Sequence, residues 1–205
     1  MYALVESGTI TKYFNYPKGF TLGELQYPAD IFMKWSVEEK EAIGIHEVVF
    51  DDSNKKDEQW YINTNQSFAF ADGAVTASYG TATPKAHADT LWTAQDETDG
   101  KGTEGEVATR GLKYNLIQTL KQQVAGILSN TDWYITRNTE KSTAIPSAIS
   151  THRDAVRTKQ ASMETQITGA ADTAALETLY TYVNTGTESN PVHERPLGEL
   201  PALES

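Results

Sequence analysis

The 205-residue chain has no cysteine. Thiol nucleophiles, disulfide cross-links and Cys-based zinc sites are therefore excluded. Folding without cross-links is consistent with a reducing cytoplasm. Positive charge is also scarce: 17 Lys and Arg stand against 28 Asp and Glu, giving a formal net charge of −11. Phosphate recognition needs clustered Lys and Arg, and here the basic residues are scattered, so neither nucleic acid nor an anionic membrane is an expected partner. Long hydrophobic runs are missing too, and nothing approaches the roughly 18–20 apolar residues of a membrane span. Met1-Tyr2-Ala3-Leu4-Val5-Glu6 has no basic or long apolar leader region, so no signal peptide is expected.

Motifs that carry chemistry are equally thin. The four histidines, His46, His87, His152 and His193, fall in different segments without the short spacing of a zinc site. Neither HExxH nor G-x-S-x-G occurs. Gly100-Lys101-Gly102-Thr103-Glu104-Gly105 fits the letters G-x-G-x-x-G. Acidic, hydrophilic residues precede it where the dinucleotide motif needs a buried strand, and they repel phosphate. Asp51 to Glu58 is rich in carboxylates but lacks the glycine of an EF-hand turn and carries Lys55 and Lys56, so it reads as a solvated loop. No pair of acids stands out for acid/base work. No catalytic residue, cofactor-binding residue or metal ligand is assigned, no cofactor is expected, and the chain is expected not to be an enzyme.

What is present is a globular composition with 39% hydrophobic and 22% charged residues, in two textures. Residues 1–92 read as a β-rich domain. β-favouring runs flank Ser7-Gly8 and Asp72-Gly73, both hairpin signals. Ser36-Val37-Glu38-Glu39 is a capping box, predicting a short helix to about Ile43 that stops at Gly44. Ile45 to Phe50 reads as a strand, and Trp60 to Ile62 with Ser67 to Phe70 as further β structure. Residues 93–105 contain no aliphatic run and read as a flexible acidic, Gly-containing linker.

Residues 106–185 read as a helical domain. Leu112, Leu116, Leu120, Val124 and Leu128 form an i, i+4 ladder. Pro146 fits the first turn of a second helix carrying Ile149, Val156, Met163 and Ile167, and Ala171 to Val183 a third. Between the first two, the stretch from Arg137 to Pro146 reads as irregular. Residues 186–205, with Pro191, Pro196 and Pro201, form a Pro-rich extended tail. The expected class is α+β: a small N-terminal antiparallel β meander with a short helix, then a C-terminal helical hairpin or three-helix unit.

Aromatic side chains are the candidate interface, namely Trp35, Trp60, Trp92, Trp133 and Tyr134. Asp132-Trp133-Tyr134 is the most distinctive group. Asp132 is placed to cap or to pair with Arg137 or Arg153, and Trp133 either packs a corner or forms a partner-binding hot spot.

Two segments carry a family resemblance. Trp35-Ser36-Val37-Glu38-Glu39, continuing to Gly44-Ile45-His46-Glu47-Val48, resembles the W-x-x-E-E-x-x-x-x-G-I-x-x-V segment of small proteins encoded among tailed-bacteriophage tail and tail-fibre genes. In those proteins a D-G-x-V hairpin comes next, as Asp72-Gly73-Ala74-Val75 does here. Leu128-Ser129-Asn130-Thr131-Asp132-Trp133 with His152-Arg153-Asp154-Ala155-Val156-Arg157 is similar to their L-x-x-T-D-W … Y-R-x-x-L-R module. His152 departs from the usual aromatic and Val156 from the usual Leu. The resemblance covers about two-thirds of the chain and implies a virion structural protein at the tail, baseplate or fibre attachment. Expected partners are other virion proteins and further copies of the chain. The expected location is the virion tail region after synthesis in the host cytoplasm. The alternatives are a tail-fibre assembly chaperone absent from the mature particle and a small carbohydrate-binding module.

Overall fold

Residues 1–203 are described in the computed structural model, and the chain divides between Thr83 and Pro84 into two units. In the first, β1 (Tyr2–Glu6) and β2 (Thr9–Phe14) are joined through Ser7 and Gly8 at φ 50° and 77°. Positive φ at both positions is what a two-residue hairpin turn requires. β3 (Phe20–Leu22) and β4 (Leu25–Tyr27) form a second small hairpin, after which come α1 (Ile31–Lys34) and α2 (Val37–Glu41). The α2 capping box forms as expected: Ser36 Oγ accepts from the Glu39 amide at 3.2 Å, and Glu39 accepts from the Ser36 amide at 2.8 Å. The chain then turns at Gly44, φ 81°, where a Cβ would collide with the Val5 carbonyl oxygen.

Next come β5 (Ile45–Asp51), β6 (Tyr61–Ile62), β7 (Ser67–Ala71) and β8 (Ala74–Ser78), with Asp72 and Gly73 at φ 52° and 80° reversing β7 into β8. Five strands form one sheet in the order β2-β1-β5-β8-β7. One seam departs from an antiparallel meander: β5 and β8 run parallel, with Val48 opposite Val75. The hairpin expected at Asp72-Gly73 forms, with β7 antiparallel to β8, and β6 lies outside this sheet. Side chains alternate across the sheet, so Leu4 joins Phe14, Phe20, Ile31, Phe32 and Ile45 on one side while Ala3 joins Val48, Val75 and Ala77 on the other. Tyr13 of β2 meets Phe68 of β7, ring centroids 4.8 Å apart, which curls the two outer strands toward each other.

β9 (Thr83–Pro84) spans the division. The second unit then shows order where a linker was expected. β10 (Thr90–Leu91) pairs with β11 (Val107–Thr109), and the residues between them hold α3 (Ala94–Thr98). Thr93 and Asp96 form a capping box, Lys101 pairs with Asp96 and Asp99 at 3.1 Å each, and Gly102 lies against the Trp92 indole. Polar side chains closing on each other replace the aliphatic core whose absence made this stretch read as loose.

α4 (Leu112–Ser129) and α6 (Ser147–Gly169) are the long helices, with α5 (Asp132–Lys141) between them and α7 (Thr173–Tyr180) after. Lys113 donates to the Thr168 carbonyl at 2.8 Å, and Arg153 donates to the Leu128 carbonyl at 2.7 Å. Opposite ends of α4 and α6 are thus apposed, and the pair is an antiparallel hairpin around Leu120, Val124, Ile149, Val156, Met163 and Ile167. Leu112 and Lys113 donate their amides to Ala86 and His87, which supplies acceptors to a helix start that has no side-chain cap. No helix among the described residues is long and apolar enough to cross a membrane. The chain is α+β, with β structure first and helices second.

Candidate partner-binding surface

Of the five aromatics picked out in the sequence, three serve packing. Trp60 is only 3% exposed and is a core residue, which corrects its assignment as interface. Trp35 is half-buried, edge-on to Tyr27 with centroids 6.0 Å apart. Trp92 is half-buried beneath Gly102. Trp133 and Tyr134 remain, both on α5.

α5 exists because α4 stops and the chain restarts within two residues. Thr131 ends that link, buried, its hydroxyl donating to the Leu128 carbonyl at 3.0 Å. From α6, Arg153 reaches in with its guanidinium almost fully enclosed, at 7% exposure. Nη1 donates to the Leu128 carbonyl and to Thr131 Oγ1, each at 2.7 Å, and Nη2 pairs with Asp132 Oδ1 at 2.9 Å. One cation therefore satisfies the carboxyl end of α4 and holds the first residue of α5. Nε of Arg153 has no hydrogen-bond partner among the described residues, so this group is buried at some desolvation cost. Asp132 pairs with Arg153 and not with Arg137, the other partner the sequence allowed.

Beyond this root, α5 contains no buried residue at all. Trp133 is 51% exposed, its ring 3.8 Å from that of Tyr134 and with the Arg137 guanidinium 5.8 Å above it. Ile135 is also exposed. The helix ends at Ser142 in the left-handed region, φ 53°, whose amide donates to Asn138. A ten-residue helix is marginal in water on propensity alone, so its stability depends on what it packs against. Here Trp133 and Arg137 are exposed on a fixed root, beside half-buried Tyr134.

Beside α5 lies the groove between α4 and α6, crossed by the C-terminal residues. β12 (Val183–Asn184) and β13 (His193–Glu194) form a hairpin, so the segment that read as an extended tail is partly paired. Leu197, 1% exposed, anchors the C-terminal residues, with its amide on the Leu179 carbonyl at 3.0 Å. Arg195 grips Glu199 through Nε and Nη2 at 2.8 and 2.9 Å, lies over Tyr180 and Tyr182, and Tyr182 donates to Glu199. The shared Glu199 carboxylate raises the Tyr182 phenol above its ordinary value, and burial does the same for Tyr180.

After Glu199 the grip ends. Leu200 to Leu203 make no hydrogen bond to any described residue. Leu200 and Pro201 are half-buried and Leu203 is 45% exposed, so this strap is held by apolar contact alone.

Among the described residues no three His, Asp or Glu are grouped to hold a metal. His46 lies 3.9 Å from Glu41 and packs its ring on Phe70. Asp96 is driven down to about 2 by the Thr93 hydroxyl, the Thr93 amide and Lys101, all within the α3 cap. The Gly111 amide and Arg110 likewise lower Asp89, beside the start of α4. These shifts belong to helix ends.

α5 was not legible past Arg137, since its polar composition carries no buried stripe to read. Arg153 left a signal: it sits between Ile149 and Val156 on the apolar face of α6, where a charge needs a partner. No family model, curated protein or solved structure matches the chain.

Proposed function

We propose that this chain is a non-catalytic structural protein of a tailed-bacteriophage particle, a tail, baseplate or fibre-attachment subunit, with α5 as a docking surface. The observation that carries the docking part is a helix without one buried residue, anchored by a buried arginine and presenting Trp133 to solvent. Building that root costs desolvation of a guanidinium, and the face it presents has no use inside the chain. The resemblance of residues 35–48, residues 72–75 and the Thr131-Asp132-Trp133 segment to tail-gene proteins supports the virion part.

The short polar caps on α2 and α3 and the acidic surface suit a subunit that must stay soluble before assembly. Protein mass spectrometry of density-purified particles from the phage encoding the chain tests this reading. The chain is expected at stoichiometric abundance beside known tail proteins. Presence in infected cells but absence from particles would favour the assembly chaperone, and product formation from host envelope polysaccharide would replace the reading with an enzyme.

A further inference from the structure

We propose that α5 of one chain docks into the α4–α6 groove of a second copy, reciprocally about a two-fold axis, in place of the C-terminal strap. This rests on α5 being a docking surface and names its occupant.

The groove is wider than the segment lying in it. On one side of the strap a cavity of about 360 Å³ opens between Ile127, Asn130 and Thr131 and the strap residues Leu200 to Leu203. On the other, about 440 Å³ opens between the strap and Ala148, Thr151 and Ala155. His152 lies under both. An extended four-residue segment with no hydrogen bond to a described residue leaves that volume unfilled, whereas a helix carrying bulky rings has the girth to occupy it.

The same chain supplies such a helix, unpartnered and adjacent, since Thr131 both lines the first cavity and immediately precedes α5. A protruding element next to its own receptor is the geometry that a two-fold axis satisfies twice, each helix entering the other chain's groove. Charge points the same way. Two copies of a −11 chain repel, so self-association is least opposed where the surface is neutral. α5 balances Asp132 and Glu140 with Arg137 and Lys141, and among the described residues no carboxylate, lysine or arginine lines either cavity. Two such contacts bury roughly 1,200 Å² in total, the lower end for a specific interface, so the dimer is expected to be concentration-dependent.

The test is sedimentation velocity and light scattering on the full chain over a concentration series. The mass is expected to rise from one to two chains. Trp133→Ala removes the helix anchor and Ala155→Glu puts a charge on the groove wall; both positions are exposed, so both variants fold. Each is expected to weaken association by about 30-fold or more. Leu203→Asp loosens the strap and is expected to tighten the dimer several-fold.

A chain that stays monomeric to several hundred micromolar, association indifferent to both variants, or a dimer weakened by Leu203→Asp would each overturn the proposal. A monomer that is nonetheless found in particles overturns only the two-copy docking. A dimer absent from particles overturns only the virion reading.

Discussion

Replacing Arg153 with methionine probes the root of α5, because the stem keeps its length while the guanidinium is lost. Two charge-assisted bonds at 2.7 Å, to Leu128 and Thr131, disappear. Bonds of this kind contribute ~1.5–3 kcal/mol each. Three effects pull the total down. Thr131 keeps its own bond to the Leu128 carbonyl, so that oxygen is not orphaned. Asp132 is 60% exposed and returns to water, so its pairing contributes under about 1 kcal/mol. An unpartnered Nε leaves the interior, which favours the variant. The expected net loss is about 2 kcal/mol, or roughly 4–8 °C in melting temperature. Arg153→Ala also removes the packed stem and is expected to cost about 3–4 kcal/mol. Urea denaturation monitored by circular dichroism gives both values, and hydrogen exchange at the end of α4 and through α5 reports where the loss is felt. An Arg153→Met protein as stable as wild type to within about 0.5 kcal/mol, with α5 unchanged in exchange, would refute the capping role.

Other perturbations separate packing aromatics from the exposed aromatic of α5. Trp60→Ala is expected to destabilise by about 3–5 kcal/mol, as core aromatics do, while Trp133→Ala should change stability by less than about 0.5 kcal/mol; chemical denaturation compares them directly. Gly44→Ala forces a left-handed residue against the Val5 carbonyl and is expected to cost about 2–4 kcal/mol, read from the same melts. Because the Asp96 pKa is depressed from 3.8 to about 2, its stabilisation of the α3 cap is complete above about pH 4 and is lost as pH falls through 2. A carboxyl-detected NMR titration should place the midpoint near 2, and a midpoint near 4 would mean that the cap does not form in solution.

The sequence was most legible where one residue type has one physical use. Ser7-Gly8 and Asp72-Gly73 announced their turns because positive φ suits little else, and the box formed by Ser36 and Glu39 announced α2. The leucine ladder and the apolar positions from Ile149 to Ile167 gave the helical hairpin through simple periodicity. What escaped was structure built from polar groups. α3 depends on Thr93, Asp96 and Lys101 finding one another, and nothing apolar marks that beforehand. The parallel seam between β5 and β8 depends on a long connection returning to the sheet, which local patterning does not encode. Trp60, between a charged loop and β6, carries no local sign of the burial that leaves it 3% exposed. On the candidate surface, Trp133 and Tyr134 were visible as letters, while the helix that carries them and the arginine that roots it required three dimensions.

The central claim is that the α5 face joins this chain to an assembly. Its most direct measurement is the amount of Trp133→Ala protein incorporated into particles when it replaces the wild-type chain during infection, quantified by mass spectrometry against a major tail protein. Incorporation reduced about tenfold or more, with the soluble variant folded as wild type, is the predicted result. Full incorporation of that folded variant contradicts the account.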